Sequence, residues 1–259
     1  MNRIPLLRYT LAITTAAVVV GAAGAGTTAA IALGFSVPKT QNYDYSVDHA
    51  IDGSQLTVTT GFAHLKFVPS PDDSLHVRAH GIYRGDAPTI DVGADGSSVA
   101  VECSYGRYKT CDADVELQIP AGLTLTVNGA GGDVVLSDVG ADVSVSTASG
   151  SVFARGSAGA IRVDTRFGDV KISDATASIV DVSTTFGEIS VESRTAPESV
   201  KARNVIGDTT IGLPPADFYA VDAASDKGDV VVDVINDPRS PKTVSATSEE
   251  GQITVRARQ

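Results

Sequence analysis

From residue 131 onward, apolar and polar residues alternate in short runs, and each run follows a glycine. Gly132-Asp133-Val134-Val135-Leu136 is echoed by Gly168-Asp169-Val170-Lys171-Ile172 and by Gly187-Glu188-Ile189-Ser190-Val191, with further runs after Gly150, Gly207, Gly228 and Gly251. These seven glycines advance by 18, 18, 19, 20, 21 and 23 residues. Between them lie second alternating segments, such as Val143-Ser144-Val145, Ile161-Arg162-Val163 and Val180-Asp181-Val182. A side-chain period of two with β-branched residues predicts strands and excludes helix. The near-constant repeat predicts a solenoid, because one such unit cannot bury its apolar face alone. The expected fold is all-β: a single β-solenoid, or β-helix-like domain, with two short strands per coil. Val143, Val145, Val152, Ile161, Val163, Val170 and Ile172 should face inward, and Ser144, Arg162, Lys171 and Asp181 should face water. Glycine, able to take φ > 0, suits the turn in each coil.

The segment before residue 131 is also strand-like but lacks the clean repeat. Runs such as Gln55-Leu56-Thr57-Val58-Thr59 and Leu75-His76-Val77-Arg78-Ala79 are separated by Asp52-Gly53, Pro69-Ser70-Pro71 and Ala94-Asp95-Gly96, which are turn signals. This part is expected to cap one end of the solenoid. At the other end the last coil, Gly251 to Arg258, would leave a strand edge, with Arg256 and Arg258 discouraging pairing there.

The N-terminus changes the picture. Arg3 and Arg8 precede Leu11 to Leu33, which carries no charge, and about 20 apolar residues suffice to cross a bilayer. The flanking arginines predict a cytoplasmic N-terminus and an exported bulk. Read as a signal anchor, the segment makes the protein single-pass at the cell membrane. Read as a cleavable signal ending near Ala23-Gly24-Ala25, it makes the protein secreted. The expected layout is a cytoplasmic stub at 1–10, a transmembrane helix at 11–35, a linker at 36–45 and a β domain at 46–259. That domain is irregular over 46–130 and regular over 131–259. The formal net charge of −11 argues against nucleic acid as a partner, since phosphate backbones require a Lys/Arg-rich face.

Cys103 and Cys111 flank a short loop containing Gly106, between two strand-like runs. In an exported chain such a pair most simply forms a disulfide, contributing roughly 2–3 kcal/mol by loop entropy. Zinc would need ligands that this spacing does not supply.

With the cysteine pair, the following Asp114-Val115-Glu116-Leu117-Gln118-Ile119-Pro120, the Gly-Asp-Val coils and the Pro214-Pro215 to Tyr219-Ala220-Val221 phrase, the chain resembles the bacterial putative adhesin domain family. Members are domains of unknown function built of β-strand repeats, found in envelope proteins of actinobacterial and other bacteria behind an N-terminal membrane segment. The likeness spans about Tyr45 to Arg258. It implies the fold and a place in the envelope, and it brings no catalytic residues. Gly61-Phe62-Ala63 departs from the family's Gly-Asp turn, and Gly150-Ser151 and Gly251-Gln252 lack the acid.

Candidate chemistry is sparse. His49, His64, His76 and His80 all fall in the irregular half and read as surface residues. The sequence holds no Gly-x-Ser-x-Gly elbow, HExxH or phosphate loop, which points away from an enzyme. One constellation remains. Asp133, Asp169, Glu188, Asp208 and Asp229 follow coil glycines, and coils about 4.8 Å apart would stack them as a ladder. Calcium could bridge such oxygens, but the simpler expectation is that each carboxylate caps its own turn amides and that no cofactor is needed. The leading functional reading is a membrane-anchored, cell-surface, non-enzymatic binding or adhesin-like protein for an envelope glycan or protein. The alternative is an envelope stress-response or regulatory scaffold that contacts a membrane partner. A polysaccharide-acting β-helix enzyme ranks third.

Overall fold

The computed structural model describes residues 39–259 apart from Ser104, Tyr105, Tyr108, Ala216 and Gln259. The stub at 1–10 and the transmembrane segment at 11–35 lie outside the described residues. Among the described residues no helix is long and apolar enough to cross a membrane.

The architecture is all-β: two sheets of 11 strands each, facing one another across a continuous apolar core. Each coil contributes one strand to each sheet. The central coils are Val143–Ser149 with Val152–Arg155, Ile161–Phe167 with Val170–Ala175, Ile179–Phe186 with Ile189–Ser193, and Ser199–Ile206 with Thr209–Leu213. They pair in parallel and in register, Val163 opposite Val145 and Val182, and Ile172 opposite Ala154 and Val191. Every predicted inward residue is buried, from Val143 and Val145 to Ile172, whereas Arg162 and Lys171 are exposed.

The half before residue 131 is less irregular than its sequence. Gln55–Thr60 with His64–Pro69, and Thr124–Gly129 with Val134–Ser137, form coils stacked on one another and on Val143–Ser149 with Val152–Arg155. Ser98–Glu102 and Thr110–Ile119 add one more beyond them, and the Cys103–Cys111 disulfide, with Cα atoms 5.5 Å apart, joins those two strands. The cap proper is antiparallel. Ser74–Arg84 pairs with Thr110–Ile119, Gln41–Ala50 pairs with Ser74–Arg84, and Thr89–Val92 closes the other sheet on Ser98–Glu102. The linker expected to reach residue 45 therefore ends earlier, at the strand beginning with Gln41. The reason lies in period two: Tyr43, Tyr45 and Val47 turn toward the core and become half-buried.

At the opposite end the chain order and the spatial order differ. The last coil, Thr243–Glu250 with Ile253–Ala257, inserts between the coil ending at Leu213 and the coil made of Phe218–Ser225 and Val230–Asp233. Gly251 to Arg258 is thus interior, not an edge. Arg256 forms an ion pair with Glu192, and Arg258 with Asp174, so both arginines clasp upstream coils.

The coil glycines form a column whose cause is close approach as well as turn geometry. At Gly187 a Cβ would lie 2.2 Å from the carbonyl oxygen of Gly168, and the same crowding repeats from Gly132 to Gly251. Gly228 fits the column only in its spatial place, against the Gly251 carbonyl. Beside the column runs a polar row three residues before the glycines from Gly150 onward, buried except at the half-buried Ser225. Thr184 Oγ1 donates to Gly168 O at 3.0 Å, Asn204 Nδ2 to Gly187 O at 2.9 Å, and Ser225 Oγ to Gly251 O at 2.7 Å. A buried carbonyl left without a donor is costly, and these side chains supply one from the next coil.

Candidate functional site

The turn carboxylates stack as a row along one corner, in the spatial order Asp133, Ser151, Asp169, Glu188, Asp208, Gln252, Asp229, as the register of the strands that follow them requires. Asp169, Glu188 and Asp208 fall on consecutive coils. Ser151 separates them from Asp133, and Gln252 separates them from Asp229. Asp133, Asp169 and Asp208 accept from the next coil and not from the amides of their own turns. Ser151 N–H donates to Asp133 Oδ1, Glu188 N–H to Asp169 Oδ1 and Gln252 N–H to Asp208 Oδ1, each at 2.8 Å. Each of these three aspartates thus ties its coil to the next. Among the described residues, no three His, Cys, Asp or Glu side chains are arranged to hold a metal ion.

Immediately before the glycines, the last residues of the other sheet's strands form a second row. Ser149, Phe167, Phe186, Ile206 and Glu250 are register partners in successive coils. Phe167, Phe186 and Ile206 are exposed, and the two phenyl rings stack with centroids 5.2 Å apart and planes 7° from parallel. Phe62, also exposed, lies over Gly131 farther along the same corner. Mutual stacking hides ring faces and presents ring edges, so the row is an apolar ridge. It runs beside the carboxylate row because Phe-Gly-Asp, Phe-Gly-Glu and Ile-Gly-Asp recur at the same point of successive coils. The ridge was legible in those tripeptides; its exposure followed only from the corner geometry.

His64, His76 and His80 occupy the outer face near the cap, whereas His49 falls on the half-buried row of Gln41–Ala50 with Tyr43, Tyr45 and Val47, its Nδ1 2.7 Å from Ala50 O. His64 and His80 flank Asp114 across neighbouring strands. With Lys66, Glu116 and Asp133 they line a shallow groove of about 380 Å³. Asp133 N–H donates to His64 Nδ1 at 3.2 Å. Lys66, bonded at 2.9 Å, holds the Glu116 carboxyl below its ordinary value, with help from Gln118. His76 lies between Asp48, 2.6 Å from Nδ1, and Asp72, 3.0 Å from Nε2. The hydrogen bond to Asp48, then that to Asp72, raises its pKa. Tyr219, buried near Asp217, is pushed up to about 12. No serine or threonine hydroxyl among the described residues is hydrogen-bonded to a histidine, the pairing that nucleophilic catalysis uses.

Fold and surface together define a disulfide-clipped β-solenoid with an acidic, ridge-bearing flank. The family model described as Toastrack DUF4097 matches residues 94–259, more than half of the chain, and the chain belongs to that family. The family is a domain of unknown function, as the sequence resemblance implied. Among solved structures, a putative adhesin from Bacteroides fragilis shares 14% identity over 83% of this chain and 97% of its own, with a TM-score of 0.45. A putative cell adhesion protein from Clostridium sporogenes shares 11% over 85% and 100%, with a TM-score of 0.37. A putative adhesin from Parabacteroides merdae shares 9% over 83% and 96%, with a TM-score of 0.31. No curated protein matches the chain.

Proposed function

We propose that this protein is a non-enzymatic, adhesin-like binding module displayed on the cell surface, held at the membrane by its N-terminal segment, and that it engages an envelope glycan or protein along the ridged flank. The observation that carries this reading is the Phe167–Phe186–Ile206 ridge beside Asp169, Glu188 and Asp208. Apolar side chains in an exposed contiguous row beside polar neighbours mark interaction surfaces, and the coil stack holds them in a fixed geometry. The test is binding of the full chain to bacterial envelope fractions and to a panel of glycans and matrix proteins, with calcium and with chelator. The reading expects saturable binding to one class, reduced at least tenfold in Phe167→Ser/Phe186→Ser, about 1.4 kcal/mol. Equal binding by the variant removes the ridge from the reading. No binding by the folded chain overturns it in favour of a regulatory scaffold acting on a membrane partner. Loss of binding in chelator would make the carboxylate row a calcium site.

A further inference from the structure

The two sheets end differently at the coil made of Phe218–Ser225 and Val230–Asp233. On one sheet the edge is blunted. Ile235–Asn236 pairs with Phe218 and Tyr219, Asn236 Oδ1 accepts Val221 N–H at 3.1 Å, and Ser240 Oγ donates to Phe218 O at 2.7 Å. On the other sheet Val230–Asp233 is the outermost strand, paired only with Ile253–Ala257. Ile253 N–H donates to Asp229 O. Because N–H and C=O groups alternate sides along a strand, the backbone groups of Val230 and Val232 therefore face the open edge. The inward row is open too. Val230 and Val232 are each 39% exposed, whereas their register partners Ile253 and Val255 are at 0%. At the cap end, by contrast, Ile90 on the other sheet's outermost strand is buried, and the inward row of Gln41–Ala50 is half-buried.

The charges around this edge select its partner. Asp222, Asp226, Asp229 and Asp233 form no ion pair among the described residues, while the cations of this end are engaged: Arg256, opposite Asp233, with Glu192, Lys227 with Glu250, Arg239 with Asp237 and Lys242 with Asp217. A second copy would bring like charges together. A basic strand would neutralise them.

We propose that Val230–Asp233 is a docking edge that accepts, as an added strand, an extended basic segment of another polypeptide. Its pattern would be cation, apolar, any residue, apolar, cation. The two apolar side chains extend the core over Val230 and Val232, and the two cations stand opposite Asp229 and Asp233. Main-chain hydrogen bonds supply affinity, and the alternate positions supply selection. This site is separate from the ridged flank and does not depend on it.

The probe is a fluorescent peptide, Thr-Lys-Val-Thr-Val-Lys-Thr, titrated into the full chain by anisotropy beside the same peptide with Glu in place of both Lys. Saturable binding of the Lys peptide is expected, about tenfold or more tighter than the Glu peptide and weakened by salt. Val232→Pro removes an edge-facing N–H, a position where proline is tolerated, and should abolish binding while leaving the unfolding midpoint unchanged. Should that variant unfold, Asp229→Lys/Asp233→Lys serves instead and should reverse the preference toward the Glu peptide. The proposal is overturned by absent binding, by equal affinity for both peptides, by an unreversed preference, or by a dimer that the Lys peptide cannot dissociate. It is also overturned if only a chain lacking residues 1–38 binds, because the protein's own N-terminal segment would then be the occupant.

Discussion

Gly187→Ala probes why the column of glycines exists. Two causes act at this position. The backbone has φ +151°, which L side chains rarely adopt, and the new Cβ would stand 2.2 Å from Gly168 O, where ordinary contact begins at 3.4 Å. The two coils would have to part at this corner by about 1.2 Å, the difference between those distances. Three hydrogen bonds cross it: Thr184 Oγ1 to Gly168 O at 3.0 Å, Gly168 N–H to Phe186 O at 3.0 Å, and Glu188 N–H to Asp169 Oδ1 at 2.8 Å. Losing them costs about 1 kcal/mol each, and the backbone conformation adds about 1–2 kcal/mol. The expected loss is therefore about 4–5 kcal/mol, a large part of a typical domain's stability of roughly 5–15 kcal/mol. Gly122→Ala is the control. Gly122 has φ +82° but nothing within 4 Å of its would-be Cβ, so only the backbone cost of about 1–2 kcal/mol applies. Chemical denaturation followed by circular dichroism measures both. Equal losses from the two substitutions would refute the close-approach argument and leave turn geometry as the sole reason for the glycines. Thr184→Val, which removes one of the three bonds and little volume, should lie between wild type and Gly187→Ala.

Two further expectations concern the faces and the cap. Val163→Asp places a charge in the core, where Val163 is 3% exposed, and should prevent folding, while Arg162→Asp on the outer face should change stability by less than about 0.5 kcal/mol; comparable damage from both, by circular dichroism, would overturn the face assignment. His76, its pKa raised by Asp48 and then Asp72, stabilises the attachment of strand Gln41–Ala50 through the protonated ring. That contribution is complete below the ordinary histidine value and is lost as pH rises through the higher folded value. Hydrogen-exchange protection of Gln41–Ala50, corrected for the intrinsic rate, should fall as pH rises from about 6.5; an unchanged profile, or the same fall in His76→Gln, would remove His76 from that role.

Much of this protein is decided locally. Alternation in Ile161-Arg162-Val163 or Val170-Lys171-Ile172 fixes which residues are inside, because a strand turns successive side chains to opposite faces whatever its neighbours. The cysteine pair was likewise readable, since its short loop sets two strand ends within bonding reach. The row three residues before the coil glycines was present as a repeated polar residue, but the purpose of Thr165, Thr184 and Asn204 depends on a carbonyl in the adjacent coil. The same holds for the turn aspartates, which accept the next coil's amide and not their own. Only the tertiary structure decided the stacking order. Coils of one period offer nearly interchangeable edges, so no local signal says that Thr243–Glu250 lies between Ser199–Ile206 and Phe218–Ser225. That insertion leaves Val230–Asp233 with its inward row uncovered, and it places the docking edge at the end of the stack and not at the end of the chain.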